Sequence, residues 1–332
     1  MSTEDHMGFF DTLLFPFIWF NSAILVGFEW LFVRMGMSVD SGWTWVLAII
    51  GLVLTLRAML TPLMLRQIKS QRRLQIVQPE LMKIQAKYKG KKDQASQQKL
   101  QQEMFGLYRE AGANPFGMCL PILVQMPFFF ALFRLLNTAA AVAAGEREPM
   151  GLFSTELATH MATSTIFGAE LTATFLHHQD LSAKILAVVL IIVMSVTQFI
   201  TSHQLMRQNM SPEALNSPMA RQQQIMIYAL PIVFAVTGVN FPIALLVYWT
   251  VSNLWTMGQQ FMVIRNMPAP NTPAEKKYQE RMARKGKAAT GIQLKNPNFM
   301  ADRQAAEAEE AAKVKASGQR VQPKSKKRAK KR

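Results

Sequence analysis

The sequence predicts an all-α polytopic membrane protein with a five-helix transmembrane core, a cytoplasmic antiparallel helical hairpin and an outer interfacial helix. Three observations carry that reading. Half of the 332 residues are hydrophobic and only 17% are charged, and the two classes are segregated into long apolar runs and dense basic stretches. Several runs reach the roughly 20 residues that a hydrocarbon core of about 30 Å demands of a helix rising 1.5 Å per residue. The formal charge of +16 sits beside those runs, where it anchors and orients them. The single cysteine, Cys119, lies in an apolar run; it excludes an intrachain disulfide framework and reads as a small core residue. Glu4, Asp5 and Asp11, ahead of the first apolar stretch, are unlike the basic start of a cleavable signal peptide, so the chain is read as mature.

Residues 1–42 are the N-terminal segment. Within it Phe9 to Phe32 is aromatic and apolar but interrupted by Asp11, Pro16, Asn21 and Glu29. It either spans the membrane or lies in the outer interface with Trp19 and Trp30 at headgroup depth, and the interruptions favour the interface. Residues 43–65 form the first transmembrane helix, uncharged except for Arg57. Residues 66–113 are the hairpin: Leu74, Val77, Leu81, Ile84 and Tyr88 recur at helical steps, as do Leu100, Met104, Leu107 and Tyr108, with a turn from Lys89 to Asp93. Each arm buries the other's apolar stripe.

Residues 114–140 are the second span, with kinks expected at Pro115, Pro121 and Pro127. Residues 141–180 make a polar outer loop, 181–203 the third span and 204–221 a cytoplasmic loop. Residues 222–239 and 243–264 complete the core, joined through Asn240, Phe241 and Pro242. The tail, 265–332, has too few apolar residues to offset its own ordering entropy and is expected to be disordered.

Charge sets the orientation. Lys and Arg outnumber Asp and Glu by eleven to four in the hairpin and nineteen to six in the tail, whereas residues 1–42 and 141–180 each have one basic against five acidic residues. Five spans place both basic segments on one side and both acidic segments on the other. The positive-inside rule makes the former cytoplasmic and the N-terminal segment outer, in a multi-pass membrane protein.

Arg57 is the most informative residue, about 12 Å of helix from the cytoplasmic end of its span. A charge at that depth costs at least about 2.5 kcal/mol unless it meets water, a partner or a cavity. None of the five spans contains an Asp or Glu to neutralise it. Snorkelling is the plain alternative, although Arg66 and Lys69 already stand at the interface. Gln125 lies at a similar depth, Asn253 slightly deeper and Gln198 shallower. Singly, each reads as an interhelical hydrogen bond. Converging on one leaflet with an unpaired arginine, they point to a wet cavity open toward the cytoplasm.

Enzyme signatures are missing from the sequence. It has no glycine-rich phosphate loop, no zinc-spaced His and Glu pair and no carboxylate inside a span. His177 and His178 read as surface histidines, and His203 beside Ser202 lacks the partners of a nucleophile and base pair. The chain is therefore expected to be no enzyme, to hydrolyse no nucleotide, and to take no cofactor, metal or small-molecule substrate.

Three stretches carry a resemblance. Asn114-Pro115-Phe116-Gly117-Met118-Cys119-Leu120-Pro121-Ile122-Leu123-Val124-Gln125-Met126-Pro127 is the first. Phe241-Pro242 leading into Tyr248-Trp249, Val251-Ser252-Asn253-Leu254-Trp255 and Gln259-Gln260 is the second. Arg57 and Pro62 ahead of the basic hairpin, with Gln78-Pro79-Glu80 inside it, is the third. In order and spacing, over roughly residues 43–264, they resemble the YidC family of membrane protein insertases. The chain departs from some bacterial members in lacking a large periplasmic domain, and from other short forms in lacking a lipobox cysteine; Arg134 is not part of the general motif.

The resemblance implies a hydrophilic groove in the inner leaflet, closed to the outside, with Arg57 as its buried cation, and it supports the interfacial placement of Phe9 to Phe32. It implies an insertase and chaperone for nascent membrane proteins, working beside the Sec translocon. Arg57, Gln125, Gln198 and Asn253 would replace part of the hydration of a substrate's polar segment, and its apolar helix would slide along Phe129 and Trp249. The apolar run from Ile225 to Val239, about 22 Å of helix, predicts local bilayer thinning. Arg66, Lys69, Arg72 and Arg73 of the hairpin, with Lys326, Lys327, Arg328, Lys330, Lys331 and Arg332 of the tail, suit either ribosomal RNA phosphates or anionic lipids. Two other classes compete: a channel or transporter, which needs polar residues through both leaflets, and a structural assembly factor, which would promote no insertion in liposomes.

Overall fold

A computed structural model describes residues 9–114, 120–177, 179–210, 215, 218–289 and parts of 298–312. Pro115, Cys119, His178 and the terminal basic residues Lys326, Lys327, Arg328, Lys330, Lys331 and Arg332 lie outside the described residues. The described chain is helical apart from one two-residue β-hairpin: α1 (Phe9–Arg34), α2 (Gly42–Lys87), α3 (Gln94–Glu110), α4 (Leu120–Asn137), α5 (Ala139–Ala143), α6 (Thr155–Thr163), α7 (Leu181–Asn209), α8 (Pro218–Gly238), α9 (Ile243–Asn266) and α10 (Pro273–Arg284).

Long apolar helices pack around α9, which touches α7, α2 and α4. Three helices are long and apolar enough to cross a membrane (Thr12–Arg34, Gly42–Lys87 and Leu181–Gln208), and Leu123–Asn137 and Gln224–Gly238 are shorter apolar helices. Length and apolarity thus include the first stretch among the spans and leave α9 out, unlike the five expected. The placement of α1 is informative. Asn21 donates through Nδ2 to the Phe128 carbonyl at 2.8 Å, and the Phe28 ring sits against Gly51. Phe128 is nine residues from the end of α4 and Gly51 nine from the start of α2. α1 therefore packs on both α4 and α2, at Asn21 and at Phe28.

The expected boundary at residue 65 is not a break. α2 runs unbroken for 46 residues, so span and first hairpin arm are one helix. Pro62 and Pro79 lie inside it, each removing one backbone donor without ending the ladder. The second arm, α3, starts at the cap Asp93, whose carboxylate accepts from the Ser96 amide at 2.9 Å. The arms bury Val77, Ile84, Tyr88, Leu107 and Ala111.

Two loop expectations are corrected. Residues 141–180 are a folded cap with α5, α6 and paired strands β1 (Thr165–Ile166) and β2 (Ala169–Glu170). Its Phe153, Met161, Ile166 and Leu171 are buried with Trp45 and Ile49 of α2, an apolar content that the acidic residues masked in sequence. The cap also serves α9. Pro242 gives that helix no side-chain cap, and the Ala173 and Leu171 carbonyls instead accept from the amides of Ile243 and Ala244 at 3.0 and 2.8 Å. The expected disordered tail, for its part, begins with α10, capped by Thr272 and resting on α9 and α7. Farther on, Phe299 is buried in the hairpin's apolar cluster. α7 likewise continues to Asn209, past the expected end of its span.

Candidate functional site

Burial along three helices stops at one level. On α2 it is nearly continuous from Gly42 to Leu56 and absent from Arg57 to Gln67. On α9 it runs from Ile243 to Asn253 with gaps and resumes only at Val263. On α4 the buried apolar residues are Ala131, Leu132, Leu135 and Leu136, all in the half nearer the cap. The bundle is sealed at the cap end and loosens toward the hairpin end.

A cavity of about 520 Å³ occupies the loosened half, lined by Arg57, Leu60, Leu63 and Met64 of α2, Val124, Gln125, Met126, Phe129 and Phe130 of α4, Phe234 of α8, and Tyr248, Trp249, Ser252 and Asn253 of α9. Of the four residues expected in a groove, Arg57, Gln125 and Asn253 meet here, with Phe129 and Trp249. Gln198 does not; on α7 it donates to Ser202 Oγ at 3.4 Å. The α7 contribution is instead the Met194 carbonyl, which accepts from Asn253 Nδ2 at 3.1 Å and holds that amide in place.

Arg57 donates through Nη2 to Ser252 Oγ, and no carboxylate pairs with it among the described residues. Tyr248 is hydrogen-bonded to the side chains of Gln125 and Ser252. One polar chain thus links α2, α9 and α4 at the level where burial stops. Above it aromatic rings close the cavity: Trp249 meets Phe129, Phe234 and Phe241 at 5.3, 4.5 and 5.8 Å between centroids, and Phe133 meets Phe241 at 5.8 Å. α4 and α8 contribute Phe130 and Phe234 to the walls.

Tyr248 and Ser252 were read in sequence as part of the resemblance and not as groove residues, although their spacing was available. Positions 248, 252 and 259 fall on one helical stripe, and Gln259 Nε2 reaches Met64 Sδ at 3.6 Å on the same side. The hairpin arginines divide. Arg66 and Lys69 are exposed as expected, and Arg73 donates to the Gly112 carbonyl at 3.4 Å. Arg72 is a correction: only 3% exposed and hydrogen-bonded to Gln75 at 3.0 Å, it is turned into the protein and presents no surface to RNA or lipid. Burial holds its guanidinium down to about 10. Among the described residues no group of three His, Cys, Asp or Glu is placed to hold a metal.

Comparison with known proteins gives this geometry a family. Residues 36–271 match the family described as 60Kd inner membrane protein. A membrane protein insertase YidC of Streptomyces avermitilis is 39% identical over 82% of this chain and 64% of its own length. One of Tropheryma whipplei is 35% identical over 98% of both chains. This chain therefore spans just under two thirds of the Streptomyces relative and nearly all of the Tropheryma one. A crystal structure of an active YidC insertase, with its first transmembrane domain resolved, aligns with 76% of this chain and 47% of its own, at 23% identity and a TM-score of 0.42. With the match covering α2 to α9, the hairpin included, and every residue around the cavity, the chain belongs to the 60Kd inner membrane protein family, and the YidC insertases named here are its relatives.

Proposed function

We propose that this protein is a membrane protein insertase and chaperone, which moves short hydrophilic segments of nascent membrane proteins into the bilayer through the half-open cavity. The observation that carries the proposal is Arg57, a cation on the cavity wall that donates to the Ser252 hydroxyl and has no carboxylate partner among the described residues. A polar segment in the cavity exchanges part of its hydration for Arg57, Gln125, Tyr248 and Asn253, which lowers the desolvation cost of crossing. Acidic segments gain most. The substrate's apolar helix leaves between α4 and α8, past Phe129, Phe130 and Trp249, which line the cavity. No step calls for nucleotide hydrolysis, a metal or another cofactor.

Charge asymmetry supports a bacterial cell (inner) membrane location with the cap outside and the hairpin and tail in the cytoplasm. There Arg66 and Lys69 are free to meet ribosomal RNA phosphates or anionic lipid, and the names of the relatives support nascent membrane proteins as cargo, received alone or from the Sec translocon. Deleting the tail beyond Arg284 weakens ribosome binding, with a shallower salt dependence, if the tail makes the contact; unchanged binding across salt removes it from the proposal.

The test is insertion of a small membrane protein with an acidic translocated segment into liposomes holding the purified chain. Arg57→Ala is expected to slow insertion about tenfold, equivalent to ~1.4 kcal/mol of barrier, and Arg57→Lys to restore part of it. Insertion by Arg57→Ala at the wild-type rate would overturn the proposed role, and no insertion by the wild type would favour a structural assembly factor.

A further inference from the structure

A second cavity, of about 310 Å³, lies between α7 and α8 at the hairpin end, away from the groove. Its polar lining comes from two facing helix faces: His203 and Arg207 on α7, Gln224 and Tyr228 on α8. Each pair is four residues apart and so shares one side of its helix. The helices run antiparallel, and the lining is graded. Arg207 and Gln224 are exposed near the hairpin end. One turn farther toward the cap, His203 and Tyr228 flank the Phe199 ring, each at 5.7 Å. Beneath them Met206 and Ile227 form a buried apolar floor.

The surface continuing from this cavity toward the cap is apolar and uncovered. On α7, Val189, Ile192 and Val196 are 48%, 55% and 49% exposed; on α8, Ile232 and Val236 are 65% and 67% exposed. A cation at the end of two helices, a belt of aromatic rings one turn in, and bare aliphatic side chains beyond follow the order of a phospholipid: phosphate, glycerol backbone, acyl chains. No carboxylate pairs with Arg207 among the described residues, so its guanidinium is available to a phosphate oxygen pair.

We propose that the α7–α8 cavity binds one anionic glycerophospholipid from the leaflet at the hairpin end, its phosphate on Arg207, Gln224 and Tyr228 and its acyl chains along the exposed face of α7 and α8. The site shares no residue with the groove, and its occupancy is independent of insertion. A bound lipid also fills the seam between two helices that the other described residues leave uncovered on that side.

The test uses the full chain, delipidated in detergent, in native mass spectrometry with phosphatidylglycerol, phosphatidylcholine or inorganic phosphate. Phosphatidylglycerol is expected to bind tightest. Arg207→Ala should weaken its first binding step about tenfold, whereas Arg284→Ala, an exposed arginine of α10, should change it less than twofold. Should Arg207→Ala fold poorly, hydrogen exchange on the wild type decides: residues 199–207 and 224–228 become protected in phosphatidylglycerol nanodiscs and not in phosphatidylcholine ones. Equal effects of the two arginine variants, equal protection in both nanodiscs, or displacement of the lipid by inorganic phosphate would each overturn the proposal, the last by reducing the cavity to a free-anion site.

Discussion

At Arg57 the guanidinium offers five donors, and one reaches the protein, at Ser252. The residue lines a cavity, so its energetics depend on what fills that space. Arg72 is the opposite case, a guanidinium nearly out of reach of solvent. Burial lowers it to about 10, so well below that pH it is protonated in both folded and unfolded states and the desolvation cost is constant. Relief comes only as pH rises through about 10. Arg72→Met is therefore expected to leave stability unchanged or raise it by up to about 3 kcal/mol at pH 7, read as a higher melting temperature in detergent. A clear fall would mean that the charge has an unrecognised partner. Gly42 shows the reverse constraint. A Cβ there would lie 2.2 Å from the Thr165 backbone oxygen, which a side-chain rotation cannot clear. Gly42→Ala should cost about 1–3 kcal/mol by overpacking and loosen the cap, visible as faster exchange at residues 165–171. Arg57, Gln125 and Asn253 were legible in the sequence because a polar group deep in an apolar run is anomalous wherever it points. Gln198 and Arg72 were misjudged because their roles depend on helix rotation and neighbours, which a single helix's sequence does not contain.

The hairpin shows how an element outside the bundle is held together. Its second arm begins at Asp93, and the hydrogen bonds from Ser96 hold the Asp93 carboxyl below the usual aspartate value of 3.8. A lowered carboxyl stabilises the fold above its unfolded value and loses that contribution as pH falls through the lower folded one. Asp93→Ala should accordingly speed hydrogen exchange at residues 94–97 at pH 7, with the difference from wild type vanishing well below pH 3.8; a difference that persists there would assign the effect to something other than the carboxylate. Phe299 contributes from the far side, 4% exposed in the same cluster as Val77 and Leu107. Phe299→Ala should destabilise the hairpin by about 3 kcal/mol, seen as earlier proteolytic cutting between α2 and α3, and unaltered cutting would dismiss the contact. The two arms were readable from their spacing of three and four, and the turn from its lysines and glycine. The docking of Phe299 was not, since an isolated aromatic residue in a basic tail has no periodicity to announce its partner.

Across the whole molecule, one end is packed and the other is not. Single cysteines in a Cys119→Ser background make the contrast measurable: Leu63→Cys and Val124→Cys, on the cavity wall, should react with an impermeant maleimide supplied from the hairpin side, and Leu52→Cys and Leu132→Cys should not. Labelling at Leu52 would show that the seal is leaky. The apolar runs made the bundle legible because hydrophobic length is a local property. The folded cap escaped notice because its apolar residues, among them Phe153, Met161 and Leu171, are spread singly among polar ones and gather only in three dimensions.

The unbroken α2 has a mechanical corollary. At 1.5 Å per residue its 46 residues make a rod of about 69 Å, clamped in the bundle over its first third and paired with α3 farther out. Arg57 stands roughly a third of the way along, just beyond the clamp. Tilting the far end, as a docking ribosome or a tug on the chain would do, therefore pivots beside the guanidinium, and Pro62 and Pro79, each lacking a backbone donor, are the points where the rod yields first.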